Sequence, residues 1–303
     1  MKLLLTSDWH FTDKGSKNRT DDYPNTLIKK IKYILGKSAE YDNPILQAGD
    51  MTDTSLLSYS AYTTLLSLLK EGIKEQSIWT VYGQHDLLYR NKGNTPLDAL
   101  EVACDPLRIV RTTIIFPNHE PDIYVYGCSF EEEIPEIQDA KAFNILLIHK
   151  MIVDQHREEW EEVYPLAPTI LKNSAFDLIV SGDNHKSFIV STGGKKPRHL
   201  INCGSLMRSK IDQIHHKPFF CIFDTETRSY EKHYIPIQDW SEVFDLETKV
   251  KEEQKDEMLT SFVSSLSQHK EIGLSFQDNV ANFMKENNIE QGVRDIVNWS
   301  MSS

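Results

Sequence analysis

The sequence predicts an α/β protein. Short apolar runs recur along the chain, and each ends in a polar residue or a glycine. Runs that are apolar almost throughout are typical of strands buried on both faces of a sheet. Helical patterns lie between the first of these runs, and the alternation of strands with helices favours an α/β architecture.

The predicted strands follow one another over the first two thirds of the chain. They cover residues 3–8, 45–50, 78–83, 124–127, 145–149, 178–183 and 200–204. The first helical pattern covers residues 25–35, where apolar side chains stand at 27, 28, 31, 34 and 35. This spacing is close to the 3.6 residues of a helical turn, and residues 55–69 show a similar pattern.

The composition changes near residue 238, and we expect a domain boundary there. Residues 1–238 would form the main domain, and residues 239–303 a small helical C-terminal segment. Three short amphipathic helices are predicted in that segment, at 257–268, 276–287 and 292–301. So short a segment buries little core alone, so it should dock on the main domain or on a partner.

Composition and charge exclude several classes of protein. The chain has 303 residues, 40% of them hydrophobic, which excludes global disorder. Its apolar runs are too short for a membrane span, and the N-terminal run meets Asp8 too soon for a signal peptide. The four cysteines form no CxxC pair, which indicates reduced core residues of a cytoplasmic protein. A net charge of −12 argues against wrapping nucleic acid by bulk electrostatics.

Side chains able to bind metals follow at least five of the predicted strands. Taken singly, each has an ordinary structural interpretation, such as a turn or a buried histidine. Together they form an ordered series at the carboxyl ends of strands, where α/β sheets bind ligands. The series consists of Asp8 and His10, then Asp50, then Gln84, His85 and Asp86, then His149, and finally Asp183 and His185.

The motifs around these residues carry a family resemblance. They read Thr6-Ser7-Asp8-Trp9-His10, Ala48-Gly49-Asp50-Met51-Thr52-Asp53, Gly83-Gln84-His85-Asp86, Ile148-His149 and Gly182-Asp183-Asn184-His185-Lys186. The series resembles the calcineurin-like metallophosphoesterase superfamily. Within it, the chain is most similar to SbcD-type nuclease subunits of DNA double-strand-break processing complexes, including their phage versions. Cys203-Gly204-Ser205-Leu206 also resembles a Gly-Ser segment of these nucleases.

The resemblance implies a fold and a mechanism. The fold would be the four-layer αββα sandwich of the superfamily. The activity would be metal-dependent hydrolysis of DNA phosphodiester bonds, as an exonuclease or endonuclease in DNA repair, recombination or replication. Two divalent ions serve such chemistry by generating a nucleophile and neutralising phosphoryl charge.

The resemblance also assigns roles to the residues. Asp50 would bridge the two ions, and His85 would contact the scissile phosphate and protonate the leaving oxygen. Asp86 would complete the catalytic pair, and with Asp53 would orient His85 or bridge the loops. The first ion would be held by Asp8, His10, Asp50 and His185, and the second by Asp50, Gln84, His149 and Asp183.

Two departures from the family pattern fall on the second ion. Gln84 replaces the usual asparagine, and Asp183 replaces the first histidine of the usual G-H-x-H motif. The resulting set of three oxygens and one nitrogen favours hard ions, Mn²⁺ first and then Mg²⁺, over Zn²⁺. A decayed second site that holds little metal is the alternative interpretation.

A basic stretch follows the last motif and is a candidate track for the DNA backbone. Its residues are Lys186, Lys195, Lys196, Arg198, Arg208 and Lys210, and a solvated loop is the other interpretation. The resemblance also implies an SMC-like coiled-coil ATPase of the SbcC type as a partner, a homodimer of the nuclease subunit, and no membrane. The rival functions are a small-molecule phosphodiesterase or phosphatase on the same fold, and a non-catalytic scaffold for the ATPase. The phosphatases carry G-D-x-V-D-R-G, whereas this chain has no arginine at that point of its second motif.

Overall fold

A computed structural model describes residues 1–73, 77–117, 119–155, 161–244, 280, 284–285, 289 and 291–301. The chain divides into two compact units, Met1–Asp245 and Leu246–Ser303. The predicted division at residue 238 stays a prediction. The helix predicted at 257–268 lies outside the described residues, as does most of the one at 276–287. The helix predicted at 292–301 is present as Gln291–Met301.

The first unit contains two six-stranded mixed sheets. The first sheet has the strand order β12-β11-β1-β2-β3-β4 and the second the order β5-β6-β7-β8-β10-β9. The strands are β1 (Lys2–Thr6), β2 (Ile45–Gln47), β3 (Ile78–Thr80), β4 (Leu107–Ile109), β5 (Thr113–Phe116), β6 (Ile123–Cys128), β7 (Phe143–His149), β8 (Leu178–Gly182), β9 (Phe188–Ser191), β10 (His199–Asn202), β11 (Phe219–Asp224) and β12 (Ser229–Tyr234). The α-helices described in this unit are α1 (Tyr23–Tyr41), α2 (Tyr59–Gly72), α3 (Pro96–Ala103), α4 (Ala167–Asn173) and α5 (Trp240–Val243), and the second unit contains α6 (Gln291–Met301).

The strands pack in layers because alternate side chains face opposite sides of each sheet. In β1, Leu3 and Leu5 enter a cluster shared with β7 and β8, whereas Leu4 packs with residues of α1. The outer face of the second sheet carries its own cluster, in which Leu146 packs with Leu171 of α4. The result is the predicted four-layer α/β sandwich, with one hydrophobic cluster between the two sheets and one on the outer face of each.

Capping side chains set the first residues of α1 and α2. The Asp22 carboxylate accepts from the Asn25 amide at 3.2 Å, so α1 starts earlier than predicted. The Ser58 hydroxyl accepts from the Ala61 amide at 3.0 Å, so α2 starts four residues after the predicted Ser55. All four cysteines are free and buried, as expected. Among the described helices, none has the length and apolar content that a transmembrane span needs.

Candidate metal centre

The predicted ligands converge because their strands run parallel. Strand β1 pairs with β2 and β2 with β3, while β7 pairs with β8, all in parallel register. Their carboxyl ends therefore meet at one edge of each sheet. The loops after β1, β2 and β3 then approach those after β7 and β8, and the Asp183 amide donates to Asp8 Oδ1 at 3.0 Å across the two sheets.

The first group of ligands lies around Asp8. Ligand atoms of Asp8, His10 and His185 all lie within 4.8 Å of one another. The Nε2 atoms of His10 and His185 are 3.0 Å apart, and His10 Nε2 is 3.7 Å from Asp50 Oδ2. Asp8 is buried, and its Oδ2 has no hydrogen-bond partner among the described residues.

The second group lies around His149. Ligand atoms of Asp8, Asp50 and His149 lie within 4.8 Å of one another, and His149 Nε2 is 3.4 Å from Asp50 Oδ2. The Gln84 amide joins this group from the other side. Its Oε1 lies 2.7 Å from His149 Nε2, and its Nε2 donates to Asp183 Oδ1 at 2.9 Å. The Gln84 amide thus bridges His149 and Asp183.

The electrostatics of the site follow from burial and from the packing of opposite charges. Burial raises the pKa of Asp8 to about 6, and repulsion from Asp50 adds to that effect. Burial would lower the pKa of His149, but Asp50 and Asp8 outweigh it and raise the value to about 10. Burial and the neighbouring His10 lower the pKa of His185 to about 3. The centre thus holds a charged Asp50–His149 pair beside a neutral imidazole.

The backbone of the site is unusual. Asp8, His10, Asp50 and Asp183 all have positive φ angles, of 46°, 46°, 51° and 82°. Non-glycine residues adopt this left-handed region rarely and at an energetic cost, and such residues cluster at functional sites. Gly83 is required for a different reason, because a Cβ there would lie 2.1 Å from Asp50 Oδ1.

His85 stands at the solvent-facing side of the centre. Its ring lies edge-on to His10 with centroids 4.7 Å apart, and its Nδ1 is 2.8 Å from the Asp53 carbonyl oxygen. A carbonyl only accepts, so Nδ1 carries the hydrogen in the neutral ring and Nε2 is its basic nitrogen. The His85 ring bonds the Asp53 carbonyl, whereas the Asp86 carboxylate is directed to Met51, Thr52 and Gly83.

The Asp86 carboxylate bonds neighbouring loops, and its assignment to the catalytic pair stays a prediction. It is fully buried, and it accepts from the amides of Thr52 and Gly83, both at 2.9 Å, and of Met51 at 3.3 Å. The Thr52 hydroxyl also donates to it at 2.9 Å. Asp86 therefore ties the loop after β2 to the loop after β3, which is the loop-bridging role that the sequence left open.

The basic stretch does not form one track. Strand β9 runs antiparallel to β10, and β10 runs parallel to β8. The loop between β9 and β10, which carries Lys195 and Lys196, therefore lies at the amino ends of the strands, opposite the metal centre. Lys186 directly follows His185, and the charge of Lys210 lowers the pKa of His185, so these two lie on the side of the centre.

The two arginines of the stretch donate to backbone carbonyls. Arg208 is 3% exposed, and its guanidinium donates to the carbonyls of Ile214 and Gln238 at 3.0 and 2.7 Å. The Arg198 guanidinium donates to the Ser174 carbonyl. The burial of Arg208 does not favour contact with DNA, and the assignment of Arg198 to the track stays a prediction.

The sequence analysis did not identify two buried polar residues that support the site. Gln47 braces the turn before Asp50, because its side chain accepts from the Gly49 amide and donates to the Gly49 carbonyl. Asn202 donates to the carbonyls of Asn184 and Lys186 and so shapes the loop around His185. The available signal was a single amide side chain inside an otherwise apolar strand, since such a group needs partners when buried.

The donor set fits divalent metal ions. The carboxylate oxygens Asp8 Oδ2 and Asp50 Oδ2 are buried without a hydrogen-bond partner among the described residues. Buried carboxylates are stable when a cation pairs with them. The carboxylate and imidazole donors around both atoms are the ligand types of transition and hard divalent ions.

Comparison with known proteins agrees with this geometry. None of the curated proteins matches the chain. Residues 1–187, more than half of the sequence, match the family described as calcineurin-like phosphoesterase. That stretch contains every residue of the centre described above, from Asp8 to His185. A chain with this match, this two-sheet fold and this cluster of carboxylates and imidazoles belongs to the calcineurin-like phosphoesterase family, whose members are metal-dependent phosphoester hydrolases.

Proposed function

We propose that this phosphoesterase is a DNA nuclease that uses two divalent ions. The observation that supports this most directly concerns the segment 203–206, which resembles a segment of SbcD-type nucleases. The Leu206 amide donates to the Asp8 carbonyl at 3.1 Å, and the Ser205 amide donates to the His185 carbonyl at 3.2 Å. The segment thus packs against two predicted ligands of the first ion and leads to Lys210, whose charge acts on His185.

Different residues of the chain would bind the metal ions and donate the proton during hydrolysis. The bound ions supply Lewis-acid activation of water and neutralise charge on the phosphoryl oxygens. Asp8, His10, Asp50 and His185 would hold the first ion, and Asp50, Gln84, His149 and Asp183 the second. His85, held by the Asp53 carbonyl, donates a proton from Nε2 to the leaving oxygen after taking one from solvent.

Mn²⁺ is the metal we propose, with Mg²⁺ as a second choice. Gln84 and Asp183 add oxygen donors to the second group, and oxygen donors favour hard ions over Zn²⁺. Reconstitution of metal-free protein with each ion tests this. Turnover with Zn²⁺ that equals or exceeds turnover with Mn²⁺ would contradict it.

The rival functions differ in substrate and in metal content. A small-molecule phosphodiesterase would cleave a chromogenic phosphodiester but not DNA, and a scaffold subunit would lack the second ion. The decisive assay compares Mn²⁺-dependent cleavage of single-stranded DNA, double-stranded DNA and the chromogenic ester. We expect DNA to be cleaved, and cleavage confined to the small ester would reject the nuclease.

We also propose that the nuclease works as a homodimer with an SMC-like coiled-coil ATPase. The net charge of −12 supports this, because a chain with that charge binds DNA weakly alone and gains from a partner that grips it. The segment from residue 257 onward would dock on the ATPase. A chain truncated there should no longer co-purify with the ATPase, and retained co-purification would reject the docking role.

A further inference from the structure

A pocket lies between α1 and the segment that follows β12. It has a volume of about 570 Å³, within the usual range for small-molecule sites. We call it the α1 pocket. The lining residues that matter for its chemistry are Arg19, Lys29, Lys30, Tyr33, Arg208 and Ile235.

The α1 pocket has an excess of positive charge. Four basic side chains line it, against the two carboxylates of Asp21 and Asp22. Both carboxylates are already engaged. Asp21 accepts from Arg19 at 2.7 and 2.8 Å, and Asp22 caps α1 by accepting from the Asn25 amide.

Two of the four basic side chains are buried and have no carboxylate partner among the described residues. Lys30 is 5% exposed, and its ammonium donates to the Leu206 carbonyl at 2.8 Å. Arg208, described above, donates to backbone carbonyls. Across the described ranges, neither residue forms an ion pair with an acidic side chain. Burying unpaired charge is costly, so the pocket is suited to an anion that supplies the missing partner.

The pKa of Lys30 reflects the same excess of positive charge. Burial, together with repulsion from Arg208 and Arg19, lowers it to about 7. Burial and Arg19 also lower the pKa of Arg208, against the opposing effect of Asp239 and Asp21. A bound anion would relieve this repulsion and hold Lys30 in its charged form.

The pocket also has an apolar wall. Tyr33 is half-buried and packs near Phe220, with ring centroids 6.3 Å apart, and the buried Ile235 lies beside it. An aromatic ring beside an aliphatic side chain accommodates a planar ring, and the nearby cations bind a phosphate. This combination of surfaces suits a molecule that carries both groups.

The α1 pocket is separate from the metal centre. Leu206 lies between the two, since its carbonyl accepts from Lys30 on one side and its amide donates to the Asp8 carbonyl on the other. None of the metal-binding residues described above lines the pocket. A ligand in the pocket therefore does not compete with substrate for the predicted metal ligands.

We propose that the α1 pocket binds a small phosphorylated molecule of nucleotide size, with its phosphate against Lys29 and Lys30 and its ring against Tyr33 and Ile235. The proposal does not depend on which phosphoester the metal centre hydrolyses.

Calorimetry with AMP on the full chain in EDTA tests this, because chelation removes phosphate binding at the metal centre. The wild-type protein should bind AMP. Lys30→Met should weaken that binding about tenfold or more, the effect of losing one charge-assisted hydrogen bond. Lys32→Met is the matched control, because Lys32 is exposed on the same helix and does not line the pocket. It should leave the affinity unchanged.

Further variants and ligands test the proposal independently of whether Lys30→Met folds. Lys29→Met affects an exposed side chain, so it tests the phosphate contact even if Lys30→Met fails to fold, and it should also weaken AMP binding. Asp50→Ala should bind AMP as the wild type does. The proposal is overturned if wild-type protein does not bind AMP, if Lys30→Met folds and binds it equally well, or if Asp50→Ala abolishes binding. Adenosine should bind far more weakly than AMP, and inorganic phosphate that binds as tightly as AMP would overturn the role of the apolar wall.

Discussion

Under the proposed nuclease function, the salt dependence of DNA binding should separate the two halves of the basic stretch. Lys186 and Lys210 lie on the side of the metal centre, whereas Lys195 and Lys196 lie at the opposite end of the strands. Each lysine–phosphate contact contributes about 0.9 to the slope of log affinity against log salt for duplex DNA. Replacing Lys186 and Lys210 by Gln should therefore reduce the slope by about 1.8. Over an approximately fourfold rise in salt, the wild type would then lose about twelvefold more affinity than this variant.

Fluorescence anisotropy with a labelled duplex measures this slope, in the His85→Ala background so that the DNA stays intact. The double substitution of Lys195 and Lys196 by Gln is the matched control, because it removes the same charge at the remote end. We expect the control to keep the wild-type slope. Equal slopes for both double variants, or a reduction only in the control, would refute the proposed placement of DNA at the metal centre.

Three further predictions concern single residues of the site. His85→Ala should keep its metals by elemental analysis yet lose about 10²- to 10⁴-fold in turnover, whereas Asp50→Ala should lose the metals themselves. Metal loss in His85→Ala would contradict its role on the leaving group. Asp86→Ala should lower the urea-unfolding free energy by about 2 kcal/mol or more, because four buried donors lose their acceptor. Asp105→Ala, at a carboxylate 99% exposed, should change it little, and equal effects would contradict the loop-bridging role. Metal binding at neutral pH should release about one proton from His149, whose pKa lies near 10, so affinity should rise with pH toward that value. Binding heats that do not vary with the ionisation enthalpy of the buffer would contradict this.

The positions of the ligands were predictable from sequence because they depend on local pattern. An apolar run followed at once by Asp50 or Asp183 specifies both a buried strand and the polar residue at its end. Parallel pairing then brings such ends together without further information. The fold class followed for the same reason, since buried strands and amphipathic helices leave short-range signals.

The positions of the basic side chains in the structure were not predictable, because they depend on pairing between strands that are distant in sequence. The antiparallel turn of β9 onto β10 carries Lys196 to the far end of the sheet. The buried Arg208 guanidinium donates to the Gln238 carbonyl, which lies thirty residues later in the chain, so the local sequence around Arg208 does not indicate its burial. The contact between Asp53 and the His85 ring was predicted only as one of two possible roles, because a backbone carbonyl makes it and the sequence does not show which residue supplies such a group.

The left-handed backbone of the ligand residues limits which stabilising substitutions this enzyme can accept without losing activity. Each such residue costs on the order of 1 kcal/mol or more, and four of them lie in the centre. Glycine at Asp8 or Asp183 would relax the backbone but remove a carboxylate donor. Variants selected for thermal stability alone would thus drift toward loss of activity at these positions. Stabilisation that keeps the enzyme active should instead be sought in the surrounding sheets and helices, away from the loops that hold the metal ligands.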